Sequence, residues 1–353
     1  MTTFVIHTST PATGHHVGRQ QTMALSLPAV LVVVLLLLLL LLLPPFTEGL
    51  AILSQSNCQG HTSDFDPHDR HAPIVVLHED ERVLAIDKPY GIPHHDDEDG
   101  QPGILSVMRQ QQSDGLLDYR GRLYGVHRLD KVTSGVLLFA KNRETASLLT
   151  GRFRDGLVTK FYCGISSRNK PAKKQGWVKG SMVKGRRKSW YLTRDQQDGK
   201  NYAVTRFFSS PLGSLRQELV DDTTADARTL LLFRPHTGRT HQLRVAAKSV
   251  GLPLLGDPVY SDGTKSNNGP ESKVDNNDQS ESLSPRTYLH ATGIHMETLD
   301  GDSADKGTNS GLTVFSVPPF RHLWQSEGAE RFDGILTDLF RKHCDCEPIK
   351  ELI

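Results

Sequence analysis

Hydrophobic positions change rhythm several times along this chain. From Ala24 to Leu43 every residue but Ser26 and Pro28 is apolar, and the run ends at Pro44. That is close to the roughly 20 residues needed to span a bilayer, and it also has the make-up of a leader sequence. A polar stretch to His71 follows. From Ile74 the segment IVVLHEDERVLAIDKPYG reads as two short strands around an acidic turn, His78 to Arg82. Pro102 to Gln112 predicts a short helix, and Val136 to Ala140 is an unbroken apolar run of the kind that forms a strand buried on both faces. Between Arg143 and Arg154, Ala146, Leu149 and Phe153 fall at helical spacing, and Lys160 to Tyr162 open another strand. Tyr202 to Ser209 and Thr229 to Arg234 predict strands, joined by a polar link holding Asp221, Asp222 and Asp226. Leu243, Ala247 and Val250 then form the apolar stripe of a helix that Gly251 ends, with His241, Arg244 and Lys248 on another face. Phe332 to His343 predicts a closing helix.

This pattern divides the chain into an N-terminal region at 1–23, a hydrophobic signal or anchor segment at 24–43, a polar linker at 44–71 and a globular domain at 72–343. Within the last, residues 261–285 are so rich in Asn, Ser, Asp and Gly that they are expected to be a disordered insertion. The leader points to an organelle or a membrane anchorage; a start codon placed too far upstream would leave the protein in the cytoplasm.

Composition adds less. With 41 Lys and Arg against 40 Asp and Glu, net charge is +1, so any nucleic-acid surface must be local. One segment supplies it: Gly156 to Arg194 holds no acid, while Lys170, Lys173, Lys174, Lys179, Lys184, Arg186, Arg187 and Lys188 crowd its middle, with Trp177, Trp190 and Tyr191 interleaved. A phosphate-tracking surface is the expectation there. Cys58, Cys163, Cys344 and Cys346 lack the spacing of a zinc site or a disulfide framework, and no metal is expected.

The chemistry concentrates at Tyr124 to Lys141, YGVHRLDKVTSGVLLFAK, where Asp130 stands in a turn at the mouth of the apolar strand. Asp, Thr, Ser and Gly are ordinary turn formers. The whole string is more specific, and HRLDxxTSGVLLFAK resembles the signature of the RluA-type RNA pseudouridine synthases. Asp87, Lys88, Pro89 and Gly91 resemble that family's first motif, with Asp where Asn is common, and RPHTGRTHQLR at 234–244 resembles its third. The stretch LLGDPVY at 254–260, where Gly256, Asp257 and Pro258 should make a tight turn, completes the match. Leu289 to Ala291 resembles a late strand of the family that Gly311 to Val317 would pair with. The resemblance covers about Ile74 to Pro319, without the extra N-terminal RNA-binding module of some relatives.

The resemblance implies an α+β domain, a mixed, mainly antiparallel β-sheet with flanking helices. It implies isomerisation of uridine to pseudouridine in structured RNA, ribosomal or transfer, with no cofactor. Asp130 would be the catalytic carboxylate, Tyr162 of the K-x-Y element would pack against the base, and Arg244 would pair with Asp130. A carboxylate suits the task, because it can add covalently or act as a base and later leave; attack on the sugar, attack on the ring and deprotonation of the sugar are all open to it. His127, Arg128, Thr133, Lys160, His241 and Gln242 are expected to contact substrate near that centre, and Lys184, Arg186, Arg187 and Lys188 to hold RNA phosphates. Ala246 stands where many members carry His, so that secondary contact is not expected. RNA is the expected partner of a monomer, with membrane contact through 24–43 if that run is an anchor. Two other classes fit less well. An RNA-binding protein without catalysis would not need Asp130, Tyr162 and Arg244 together, and an aspartic-protease-like hydrolase needs a second D-T/S-G string that is absent.

Overall fold

The computed structural model describes residues 72–166, 168, 173–186, 188–193, 199, 201–214, 227–261, 286–297, 311–320, 323 and 326–350. The apolar run at 24–43, the linker at 44–71, the aspartate-bearing link and nearly all of the 261–285 insertion lie outside them.

Among the described residues, eleven strands form one sheet: β1 (Val75–Glu79), β2 (Val83–Lys88), β3 (Tyr124–Gly125), β4 (Ser134–Ala140), β5 (Thr159–Ser166), β6 (Gln175–Lys184), β7 (Trp190–Thr193), β8 (Tyr202–Ser214), β9 (Ala227–Pro235), β10 (Leu289–Met296) and β11 (Leu312–Phe315). The main order is β1-β2-β4-β10-β5-β9-β8-β6-β7, with β11 on β10 and β3 on β4. Every pairing is antiparallel except β4 with β10, so the mixed, mainly antiparallel sheet expected from the sequence is present. The helices are α1 (Ile104–Ser113), α2 (Arg143–Arg154), α3 (Gln242–Ser249), α4 (Ser326–His343) and α5 (Glu347–Lys350).

All seven residues of β4 are buried, as an apolar run between two neighbouring strands requires. Leu137 and Phe139 point to α1 and meet Ile104, Val107 and Met108. Val136, Leu138 and Ala140, one step out of phase, meet Leu149 of α2 on the other face. α2 starts where Asn142 accepts the amide of Thr145 at 2.8 Å, with Glu144 in its first turn and Arg152 and Arg154 in its last, the charge order its dipole favours. α4 begins six residues before the apolar stripe of Phe332, Leu336, Leu339 and Phe340 that announces it. Ile349 of α5 is buried in the same cluster, so the packed unit continues past His343.

The connection before β4 positions the chemistry. β3 pairs with the far end of β4, Tyr124 opposite Ala140, so residues 126–133 must run back along β4 to reach Ser134. Asp130 therefore sits in the returning loop at the start of a central strand. Gly135 holds a φ of 108° beside β10, where a Cβ would run into the carbonyl of Ala291; no other residue fits this crossing.

Candidate active site

Asp130 lines two hollows that share part of their walls. The larger, about 530 Å³, is walled by Phe153 of α2, Lys160 and Tyr162 of β5, the 235–242 loop and Leu289. The smaller, about 280 Å³, is bounded by His94, His95, Lys131 and Val132. Arg128, Leu129, Asp130, His241 and Arg244 belong to both. Tyr162 packs against the core around α1 and the core around α3, which places it where the two halves of that sheet face meet. Burial, reinforced by the negative charge of Asp130, pushes its phenol up, so it stays protonated at neutral pH.

The loop is held from beneath. Thr133 donates its amide to the Asp130 carbonyl at 3.0 Å, closing the turn. The ammonium of Lys88, fully buried, donates to the carbonyls of Thr133 and Pro89 at 2.9 Å each. Burial pulls its pKa down to about 7 against the opposing pull of Asp130 and Asp87. Ser134 lies 3.0 Å from Nδ1 of the buried His290, whose Nε2 meets Ser316, and Ser316 donates to Asp87 at 2.9 Å. The Lys88 and Asp87 of the first motif thus brace the turn that carries Asp130.

Arg244 meets Asp130, as the resemblance implies, and a second carboxylate besides. His241 stands before α3 in the left-handed region (φ 58°), and Arg244, only 3% exposed, points inward rather than along a solvated basic face. The reason is a carboxylate that sequence reasoning took for a turn residue. Asp257, 1% exposed, accepts from Nε and Nη2 of Arg244 at 2.7 and 2.8 Å, a two-pronged pair, and its Oδ1 also accepts the amides of Val259 and Tyr260. Asp130 is 3.6 Å from Nη1 of the same guanidinium. Burial works against the charge on Arg244, but Asp257 first and Asp130 second outweigh it and raise its pKa. The pairing with Asp130 is present; Asp257 is the tighter partner. The expected turn at Gly256 is also present, with φ 68° and a Cβ position blocked by the carbonyl of Arg286.

Other expected contacts sort themselves by what their polar atoms already do. His127 accepts the amide of Leu138 at 2.9 Å and stacks on Phe153 (4.4 Å between centroids); burial lowers its pKa to about 3, so it is a neutral prop of the cleft wall. Gln242 lines the cleft floor with its amide fully engaged, accepting from Thr237 and the Arg239 amide and donating to Val204 and Thr205. Both line the larger hollow, and both have these polar atoms satisfied by the fold itself. Arg128 is exposed at the junction of the hollows. Lys160 is buried in the cleft with its ammonium 5.8 Å from the Phe153 ring, and burial lowers its pKa. His241 Nδ1 is 2.8 Å from the Tyr260 hydroxyl, which accepts the Trp190 amide. That bond ties the β6–β7 hairpin to the wall holding Arg244. Lys184, Arg186 and Lys188 are exposed at the hairpin's tip, outside both hollows; Arg187 is outside the described residues. Ala246 is buried against the α3 core. Among the described residues, no group of three or more His, Cys, Asp or Glu side chains is placed to hold a metal ion, and no helix is long and apolar enough to cross a membrane.

The family described as RNA pseudouridylate synthase matches residues 82–249. Over 252 residues the chain is 36% identical to an uncharacterized RNA pseudouridine synthase of Haemophilus influenzae, spanning 71% of this chain and 90% of that one. It is 33% identical over 229 residues to the ribosomal large subunit pseudouridine synthase C of Rickettsia prowazekii, spanning 64% of each. The solved structure of human RNA Pseudouridylate Synthase Domain Containing 4 shares the fold with a TM-score of 0.50 at 24% identity, over 73% of this chain and 93% of that one. The chain belongs to the RNA pseudouridine synthases, in their RluA-like group. Its activity is the isomerisation of uridine to pseudouridine in RNA.

Proposed function

We propose that the substrate is a uridine in structured ribosomal or transfer RNA and that Asp130 is the carboxylate that carries the reaction. The observation that supports this most directly is the placing of Asp130 between Tyr162 and Arg244 at the mouth of a cleft. Isomerisation breaks the bond from C1′ to N1 and forms one from C1′ to C5; N1 gains a proton and C5 loses one. No electron acceptor is required. Asp130 serves the step that frees the base, by adding to sugar or ring or by taking a sugar proton, and is regenerated at the end. Arg244, shared with Asp257, lies 3.6 Å from that carboxylate and aims it while leaving its charge incompletely paired. Tyr162 supplies a flat surface for a base that has left its stack, the usual demand of enzymes acting on an extruded nucleotide. Isotope-free conversion assays on ribosomal and transfer RNA transcripts, mapped at single-nucleotide resolution, test the substrate assignment; pseudouridine in neither would overturn it.

Two variants separate binding from chemistry. Tyr162→Phe retains the ring and is expected to keep activity within about tenfold, whereas Tyr162→Ala forfeits base stacking of about 1–3 kcal/mol and falls much further. Single-turnover rates compare them, and equal losses would show that the hydroxyl, not the ring, matters. Replacing Lys184, Arg186, Arg187 and Lys188 together with Ala is expected to weaken RNA binding while leaving the single-turnover rate at saturating enzyme unchanged. For each phosphate that the variant no longer neutralises, the slope of log K against log salt should flatten by about 0.7–0.9. An unchanged slope would remove the hairpin tip from the RNA track.

The proposal includes a monomeric enzyme delivered to an organelle or membrane through residues 24–43. Imaging a fluorescent fusion with and without residues 1–43 reads this directly, and identical distributions would refute it.

A further inference from the structure

The outer face of the β6–β7 hairpin is built unlike an ordinary solvated strand. Residues alternate across a strand, and directly paired residues share a face. Val178 and Met182 of β6 are buried toward α3, which sends Trp177, Lys179 and Val183 to the opposite side. Tyr191 pairs with Val183 and joins them. Trp177 is 48% exposed and Tyr191 51%, the two aromatic ends of a strip roughly 20 Å long at six residues' separation. The cation of Lys179 lies 5.0 Å from the Trp177 ring centroid, and Arg206, its pairing partner on β8, lies 5.5 Å away. Among the described residues no carboxylate is within ion-pair distance of Lys179 or Arg206, whereas the neighbouring Arg234 is taken up by Asp345. On its other flank the indole meets His236 at 5.1 Å. His236 also lines the larger hollow with Asp130 and Tyr162, so the strip begins at the rim of the cleft.

We propose that Trp177 and Tyr191 are stacking platforms for unpaired bases flanking the target uridine, with Lys179 holding a phosphate between them and Arg206 one beside Trp177 on the β8 side. The proposal rests on the RNA activity above and adds to it a single-stranded subsite. Exposed aromatics with cations set beside them suit a single strand, since every base has a face to stack and every linkage a charge to hold. A duplex keeps its bases stacked on one another and offers only its phosphates. Burial keeps His236 below its usual pKa, so at neutral pH it contributes a flat neutral ring rather than a further charge.

The test uses the full chain and two fluorescein-labelled probes, a ten-nucleotide single-stranded oligoribonucleotide and a blunt ten-base-pair RNA duplex. Fluorescence anisotropy at one fixed salt concentration is expected to show Trp177→Ala binding the single strand about tenfold more weakly, Tyr191→Ala less so, and Trp177→Phe within about threefold of the wild type. The duplex should lose less than threefold in each. Thermal melting confirms that each variant is folded. A second reading is intrinsic fluorescence: with Trp190 and Trp324 replaced by Phe, the remaining indole should be quenched by the single strand. Single-strand affinity of Trp177→Ala within twofold of wild type, equal losses on both probes, or an unquenched indole would each overturn the proposal. Pseudouridine yield on ribosomal and transfer RNA transcripts is measured separately. If the wild type binds the single strand through Trp177 yet converts neither transcript, the substrate reading fails and the platform stands.

Discussion

Asp130→Asn is expected to abolish pseudouridine formation while leaving RNA affinity within a few fold of wild type. The substitution keeps the shape of the side chain and its capacity to accept a hydrogen bond, and removes the charge and the nucleophilic oxygen. Among the described residues, Asp130 makes no hydrogen bond through its carboxylate that holds the loop together: the turn is closed by its backbone carbonyl to Thr133 and braced by Lys88. The fold should therefore survive, and the melting temperature should change little. Loss of a covalent or basic group of this kind is expected to cost at least 10³-fold, on the order of the larger acid–base contributions. The measurement is single-turnover conversion of RNA by enzyme purified under conditions that exclude contaminating activity, paired with a binding isotherm. Turnover by Asp130→Asn within about tenfold of wild type would remove Asp130 from the reaction and leave the cleft without its reactive group. Arg128, exposed at the junction of both hollows, is not expected to substitute, because a guanidinium can neither add to a sugar carbon nor take a proton at neutral pH.

The sequence carried the reactive turn more fully than its support. An unbroken apolar strand with Asp130 at its mouth is visible in the letters alone, because a strand buried on both faces has no polar positions to confuse the reading. Helix α3 was legible as a helix, and the resemblance supplied the contact of Arg244 with Asp130 but not that with Asp257. Asp257, thirteen residues after Arg244, arrives beside it, and a short motif gives no measure of such a distance in space. Gly-Asp-Pro announces a turn, and the turn is real; that its carboxylate also faces a guanidinium depends on how β5, α3 and the following loop meet. The β6–β7 hairpin was hidden for a different reason. Gly176, Lys179 and Gly180 are poor strand formers, and the segment read as a charge run, whereas pairing with the 13-residue β8 supplies what local propensity lacks. β8 itself runs five residues past its apolar signal, through Pro211, because a break in register at that point accommodates a residue with no amide hydrogen.

Asp257→Asn is expected to damage both stability and turnover, and the two effects can be separated. In the folded protein Arg244 shares its charge between a close, two-pronged partner and Asp130 at 3.6 Å. Neutralising Asp257 leaves a buried guanidinium with Asp130 as its near carboxylate, a loss of the order of 3–5 kcal/mol for breaking a buried pair. The guanidinium should then draw Asp130 into a tighter pair, lowering its reactivity, so kcat falls more than KM rises. Arg244→Met alone should cost a similar amount in stability, by stranding Asp257. The double variant Arg244→Met, Asp257→Asn removes both charges yet keeps an amide oxygen to accept from the backbone of Val259 and Tyr260. Its urea midpoint should recover most of what either single variant loses, because no uncompensated buried charge remains. Its activity should not recover, since Asp130 would then lack its cation. Denaturation midpoints and single-turnover rates for the four proteins complete the cycle. Additive losses of stability would mean that Arg244 and Asp257 do not act as a pair, and a double variant as active as Asp257→Asn would mean that Arg244 does not serve Asp130.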